Sequence, residues 1–222
     1  MAHLILLLLG AALLFAGLLV IPYLQEALLL PLIDGMARLS QKRGWLGKAL
    51  SLRQKALALR EKKYGKSHYR LAKTLTELGD IYSAKHQHQR AAALYQRALA
   101  MLEKKFGETH PETLDLLNRM AGTYCALGRY SEARPLYERA VRILETQFGR
   151  HHPKLALGLD HLAGVHQAQG QFAEALPLYK RALEITQAAL GYGHEQSQAL
   201  AEHYALCLQT MASATSPLQR SR

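Results

Sequence analysis

The side chains of this sequence best suited to chemistry are its imidazoles, and they are not scattered at random. His68, His110, His152 and His194 recur every 42 residues, while "HQH" (86–88) and "HH" (151–152) place imidazoles close together. Paired imidazoles can hold zinc, but zinc sites draw three or four ligands and usually include cysteine or carboxylate at short spacing. Neither pair has a cysteine or an acidic residue at ligand spacing. Cys125 and Cys207 fall at different places in the 42-residue register, so they imply no disulfide framework. There is no glycine-rich phosphate loop and no nucleophile elbow, nor a carboxylate pair on one helix face beside a histidine. No catalytic residue, metal or cofactor is therefore expected. What needs explaining is the recurrence itself.

The histidines travel with their surroundings. Tyr64-Gly65, Phe106-Gly107, Phe148-Gly149 and Leu190-Gly191 keep the same 42-residue spacing, the mark of a solenoid. Inside each period apolar residues fall at helical spacing: Leu71, Leu75, Leu78 and Ile81, then Ala91, Leu94, Tyr95, Ala98 and Leu102. Each unit thus reads as two amphipathic helices, A and B, of about five turns each. Gly128-Arg129-Tyr130 and Gly170-Gln171-Phe172 mark the turn between them. The junction "KKFGETHP" (104–111) reads as punctuation. Gly107 and Gly149 are expected to close helix B in a left-handed conformation. Thr109-x-x-Glu112 has capping-box spacing, and Pro111 and Pro153 suit a first helical turn.

Small residues recur where helices must approach closely: Gly79, Ala121 and Ala163; Ala91, Ala133 and Ala175; Ala98, Ala140 and Ala182. The order Leu78-Gly79, Tyr82, Ala91, Tyr95, Ala98 resembles the tetratricopeptide repeat. Its period, "FGETHP", "YSEARPLYERAVRILE" and "FAEALPLYKRALEI" are similar to the long form found in kinesin light chains. The resemblance covers 46–210. It departs from the pattern at Tyr69 and Glu195, which replace proline, at His166, which replaces tyrosine, and at Leu75, Leu117 and Leu159, which hold the usual tryptophan position. It implies an all-α fold, a right-handed α-α superhelix whose A helices line a concave groove. Residues 67–193 are three full repeats and 194–211 a capping helix, followed by a disordered tail at 212–222. Residues 23–66 are a basic juxtamembrane segment with a degenerate first repeat; its helix B covers 46–63. The partner helix near Ile33–Ala37 is expected to be short because Pro31 cannot sit in a helix interior.

The N-terminus is different material. "LILLLLGAALLFAGLLVI" (4–21) is 18 residues without a charge, about 27 Å as a helix against a bilayer core of about 30 Å. It predicts a single transmembrane helix, residues 1–22 forming an anchor. No positive n-region precedes it and no A-x-A site follows, which weighs against a cleaved signal peptide. After it come ten Lys and Arg in residues 34–66 against only Asp34 and Glu61, so most of the net charge of +11 lies there. That asymmetry places the repeats in the cytoplasm and could draw the segment to anionic lipid headgroups. With the charge against the membrane and no binding motif, no nucleic acid is expected as a partner.

The resemblance also locates a partner site. A-helix residues not used for packing are Lys73, Thr76, Glu77, Asp80 and Ser83; then Asp115, Asn118, Arg119, Gly122 and Cys125; then Leu157, Asp160, His161, Gly164 and Gln167; then Glu202 and His203 from the cap. Asn118 resembles the asparagine by which tetratricopeptide grooves hold a peptide backbone, and Arg119 could pair a ligand carboxylate. The expected function is a membrane-anchored adaptor that binds a protein or peptide in this groove. The alternative is an exported soluble subunit, its signal removed, that assists assembly of an envelope or secreted complex.

Overall fold

The computed structural model describes residues 29–215, and the apolar run at 4–21 lies outside them. Nine α-helices are described: α1 (29–42), α2 (Leu46–Tyr64), α3 (Ala72–Ala84), α4 (His88–Phe106), α5 (Leu114–Ala126), α6 (Tyr130–Phe148), α7 (Pro153–Ala168), α8 (Phe172–Leu190) and α9 (Glu195–Thr215). There is no strand among the described residues. From α2 onward each helix packs on the next, and one apolar cluster runs from Leu71 to Leu200. The fold is an all-helical solenoid of helix pairs. No described helix is long and apolar enough to cross a membrane.

Several details differ from expectation. The B helices α4, α6 and α8 have 19 residues, but the A helices α3 and α5 have only 13 and are preceded by one 3₁₀ turn, Tyr69–Leu71 or Pro111–Thr113. Helix α1 is not cut short at Pro31, which lies within its helical residues. Helix α9 continues through 212–215, assigned to the tail by the sequence; residues 216–222 lie outside the described part.

The junction explains the recurring histidines. Each helix B ends at a glycine with φ of 84° to 90° and ψ of 159° to 172°, for Gly65, Gly107, Gly149 and Gly191. This is not the left-handed helical cap expected but an extended positive-φ region that is essentially glycine's alone. The glycine N–H still donates to the carbonyl four residues back, as Gly107 does to Glu103 at 2.8 Å. Three residues on, the histidine caps the next helix. Nδ1 of His68, His110, His152 and His194 accepts from the N–H of Arg70, Glu112, Lys154 and Gln196 at 3.2–3.3 Å. The Thr109–Glu112 capping box does not form; His110, one residue later, does that work. Its ring stacks on Phe106 at 4.8 Å, as His68 does on Tyr64 and His152 on Phe148. The "HH" pair is thus half spent on capping.

A second recurring device ties each repeat to the next. Arg97, Arg139 and Arg181 reach Glu61, Glu103 and Glu145 at 2.6–2.7 Å and also donate to the carbonyls of Lys66, Glu108 and Arg150. The small-residue sites are real contacts: Ala91, Ala98, Ala121, Ala133, Ala140, Ala163, Ala175 and Ala182 are all fully buried. Gly79 differs from Ala121 and Ala163 for a reason. A Cβ there would stand 2.4 Å from Cε1 of Tyr95.

Candidate functional site

The face carried by α3, α5, α7 and α9 holds the sequence-assigned groove residues, and its character changes along the stack. At the N-terminal end is a buried ion network. Arg53, 2% exposed, pairs with Asp34 at 2.7 Å and with Glu77 at 2.8 Å. Arg60 also pairs with Asp34 and donates to Thr74 Oγ1 at 2.9 Å. Glu77 is therefore spent inside the protein. Burial pushes its carboxyl above the usual range even so, since Arg53 is shared with Asp34, whose own charge repels Glu77. Two cations of the basic block, Arg53 and Arg60, are likewise internal.

Beyond the network a cavity of about 590 Å³ opens between α3 and α5, lined by Lys73, Thr76, Asp80, Phe106, Asp115 and Arg119. Lys73 and Asp115 are exposed. Arg119 is not poised for a ligand carboxylate: it already pairs with Asp80 at 2.7 Å and with Asp115 at 2.8 Å. Asp80 also accepts from Tyr95 Oη at 2.7 Å, and burial with that bond raises the phenol's pKa. A neighbouring cavity of about 460 Å³ includes Gln41, Ser83, Asn118 and Gly122. The carboxamide oxygen of Asn118 is buried there and accepts no hydrogen bond.

The C-terminal part has a floor of largely neutral groups, with Asp160 and His203 as its charged or titratable members. A cavity of about 430 Å³ is lined by Cys125, Tyr137, His161, Gly164, Tyr179 and Leu206. Asp160 is held by His203 Nδ1 at 2.8 Å. His161 leans on Tyr137, ring centroids 5.2 Å apart, and burial lowers its pKa against the opposing pull of Asp160. Tyr137 and Tyr179 are raised by burial to about 12. A Cβ added at Gly122 or Gly164 would meet only Tyr137 or Tyr179 Oη at 3.6 Å, ordinary contact. Glu202 is exposed on α9.

The assigned residues thus divide into two sets. Lys73, Asn118, His161 and Glu202 present groups to the face, while Glu77–Arg53, Asp80–Arg119–Asp115 and Asp160–His203 are coupled within the chain. The sequence reading missed the floor tyrosines and Arg53. The signal was present: Arg53 stands 42 residues before Tyr95, at the buried tyrosine position of the repeat.

The sequence matches the tetratricopeptide repeat profile over residues 26–104, 85–146, 112–188 and 154–214. It matches no curated protein. Among solved structures it is similar to a kinesin-light-chain-type protein of Podosopora anserina with nearly identical TPR-like repeats. Identity there is 27%, the TM-score 0.74, and the match covers 83% of this chain and 87% of that one. BtubC (BKLC) from P. vanneervenii is 22% identical with a TM-score of 0.65, over 90% and 81% of the two chains. The apo form of RapI is 15% identical with a TM-score of 0.70, over 84% and 65%. These last two likenesses concern the fold alone. The chain belongs to the tetratricopeptide repeat family, and its repeats are of the 42-residue kinesin-light-chain-like type.

Proposed function

We propose that this protein is a membrane-anchored adaptor that holds a peptide or partner protein along the face of α3, α5, α7 and α9. Tetratricopeptide solenoids mediate protein–protein interaction and are non-catalytic scaffolds. The observation that carries the site is the run of cavities along these helices, about 590, 460 and 430 Å³, beside side chains that packing leaves available. The buried, unpaired oxygen of Asn118 supports a ligand that donates N–H groups, as an extended peptide does, because a shielded acceptor without a partner is costly. The anchor rests on the sequence: 18 uncharged residues at 4–21, followed by a cationic stretch.

The groove can be blocked without harming the fold. Gly122→Leu with Gly164→Leu places side chains into the cavities, where the added Cβ makes only ordinary contact with a tyrosine hydroxyl, and replaces helix glycines with a better helix former. The double variant should melt at or above the wild-type temperature. A photo-cross-linker at Asn118 should capture a partner in wild type and fail in the blocked variant, whereas one at exposed Gln96 on α4 should capture nothing. Undiminished capture through the blocked groove would place binding elsewhere. Arg97 is unsuitable for such a control, because it ties α4 to Glu61 and Lys66.

A further inference from the structure

Helix α1 carries a row of large apolar side chains that nothing in the described chain covers. Leu29, Leu32, Met36 and Leu39 recur at steps of three and four, so they share one helix face; they are 41%, 60%, 41% and 51% exposed. The 42-residue register shows what such a face does elsewhere. The equivalent residues in α3 and the turn before it are Leu71, Thr74, Leu78 and Ile81, all buried at 2% exposure or less. It is the stacking face of helix A, and in α1 no described residue covers it. The exposed cation Lys42 flanks it. At its C-terminal end Trp45, 51% exposed, has Arg43 and Lys48 against its ring at 5.3 and 5.6 Å.

We infer that this face of α1 docks onto the headgroup layer of an anionic bilayer, with Leu29, Leu32, Met36 and Leu39 reaching the acyl boundary. The inference rests on the anchoring proposed above. If 4–21 spans the bilayer, only residues 22–28 separate it from α1, at most about 25 Å of extended chain. A segment committed to the bilayer cannot also cover α1 as a preceding repeat would. An apolar stripe rimmed by arginine and lysine is the chemistry of an interfacial helix, and a tryptophan with basic neighbours suits the same layer. Docking here would fix the solenoid against the membrane by its first helix and leave the groove on α3 to α9 to the solvent.

The test uses the full-length chain in vesicles of phosphatidylcholine and phosphatidylserine that contain lipids brominated just below the headgroup. Trp45 is the chain's only tryptophan, so Trp45→Phe with Leu32→Trp moves the sole reporter onto the stripe. Vesicle flotation should retain the protein. The relocated reporter should be blue-shifted and quenched, less so when phosphatidylserine is omitted. Adding Met36→Glu and Leu39→Glu should abolish quenching while flotation and the circular-dichroism melt stay unchanged, because both side chains are exposed. A floating protein whose reporter is not quenched overturns the docking and leaves the anchor standing; a blue shift without quenching would mean burial against protein and overturns it equally. Quenching that survives the two glutamates also overturns it. A chain that fails to float overturns anchor and docking together.

Discussion

The first helix pair and the three that follow solve one packing problem in two ways. In α4, α6 and α8 a tyrosine, Tyr95, Tyr137 or Tyr179, lies 2–5% exposed with its hydroxyl toward the groove. In α2 the same position is Arg53, as deeply buried, and its charge recruits Asp34 and Glu77. A phenol needs at most one or two hydrogen bonds when buried, and Tyr179 meets this with Gln167 at 2.9 Å. A guanidinium needs counter-charge. The consequence is a groove closed by internal ion pairs at one end and floored by phenols and glycine at the other. The position-specific choice within a fixed repeat, rather than the repeat, sets what the face offers a partner.

The strongest way to break this contrast is Arg53→Ala. It strands the half-buried Glu77, which has no second cation within ion-pair distance among the described residues, leaves Asp34 with Arg60 alone, and should cost about 3–5 kcal/mol in chemical denaturation. Tyr179→Phe, at the equivalent position in the last repeat, loses one neutral hydrogen bond, about 1 kcal/mol. Equal losses would mean that the buried network contributes no more than the phenols do.

Gly79→Ala probes the same boundary sterically. The new methyl meets the Tyr95 ring, which is buried and held by Asp80, so the loss should be about 1–3 kcal/mol. The reciprocal Ala121→Gly should cost about 1 kcal/mol, the ordinary helix penalty. A neutral Gly79→Ala would mean that Tyr95 moves freely and that its bond to Asp80 does not organise the groove.

A gain is expected at His86. It adopts φ 57° in the turn before α4, where Gly44, Gly128 and Gly170 hold 70° to 73° in the other repeats. His86→Gly relieves a left-handed side chain at some cost in chain entropy, for a net gain of about 0.5–1 kcal/mol in thermal melts. A destabilised variant would show that the imidazole, 6.0 Å from His88 edge to face, contributes more than the strain removes.

The smallest effect concerns pH at the C-terminal end. Burial lowers the pKa of His161 below its ordinary 6.5, so the unfolded chain takes up the proton first. Its contribution is fully present above about pH 6.5 and is lost as pH falls through the lower folded value. In a His203→Gln background, which removes the pairing with Asp160, His161→Gln should flatten the acid limb of stability against pH. An unchanged limb would assign acid sensitivity to other groups.

Sequence alone determined the periodic part of this protein. The 42-residue spacing, the alanine contacts and the positions of the glycine–histidine junctions are local matters of chain direction and helix approach, repeated often enough to be read without coordinates; the extended glycine and the histidine cap were not. It could name the groove-facing positions as well, since they are what helical periodicity leaves over after packing. Only the tertiary structure decided how these groups are used. Arg119 looked like a ligand for carboxylates until Asp80 and Asp115, one on the neighbouring repeat, were found within 2.8 Å. Arg53 and Arg60 read as part of a basic juxtamembrane segment, yet they are joined to Asp34 on α1 and, through Arg53, to Glu77 on α3. Ion pairing depends on which side chains meet across helices in three dimensions, and a count of charges along the chain does not contain that information.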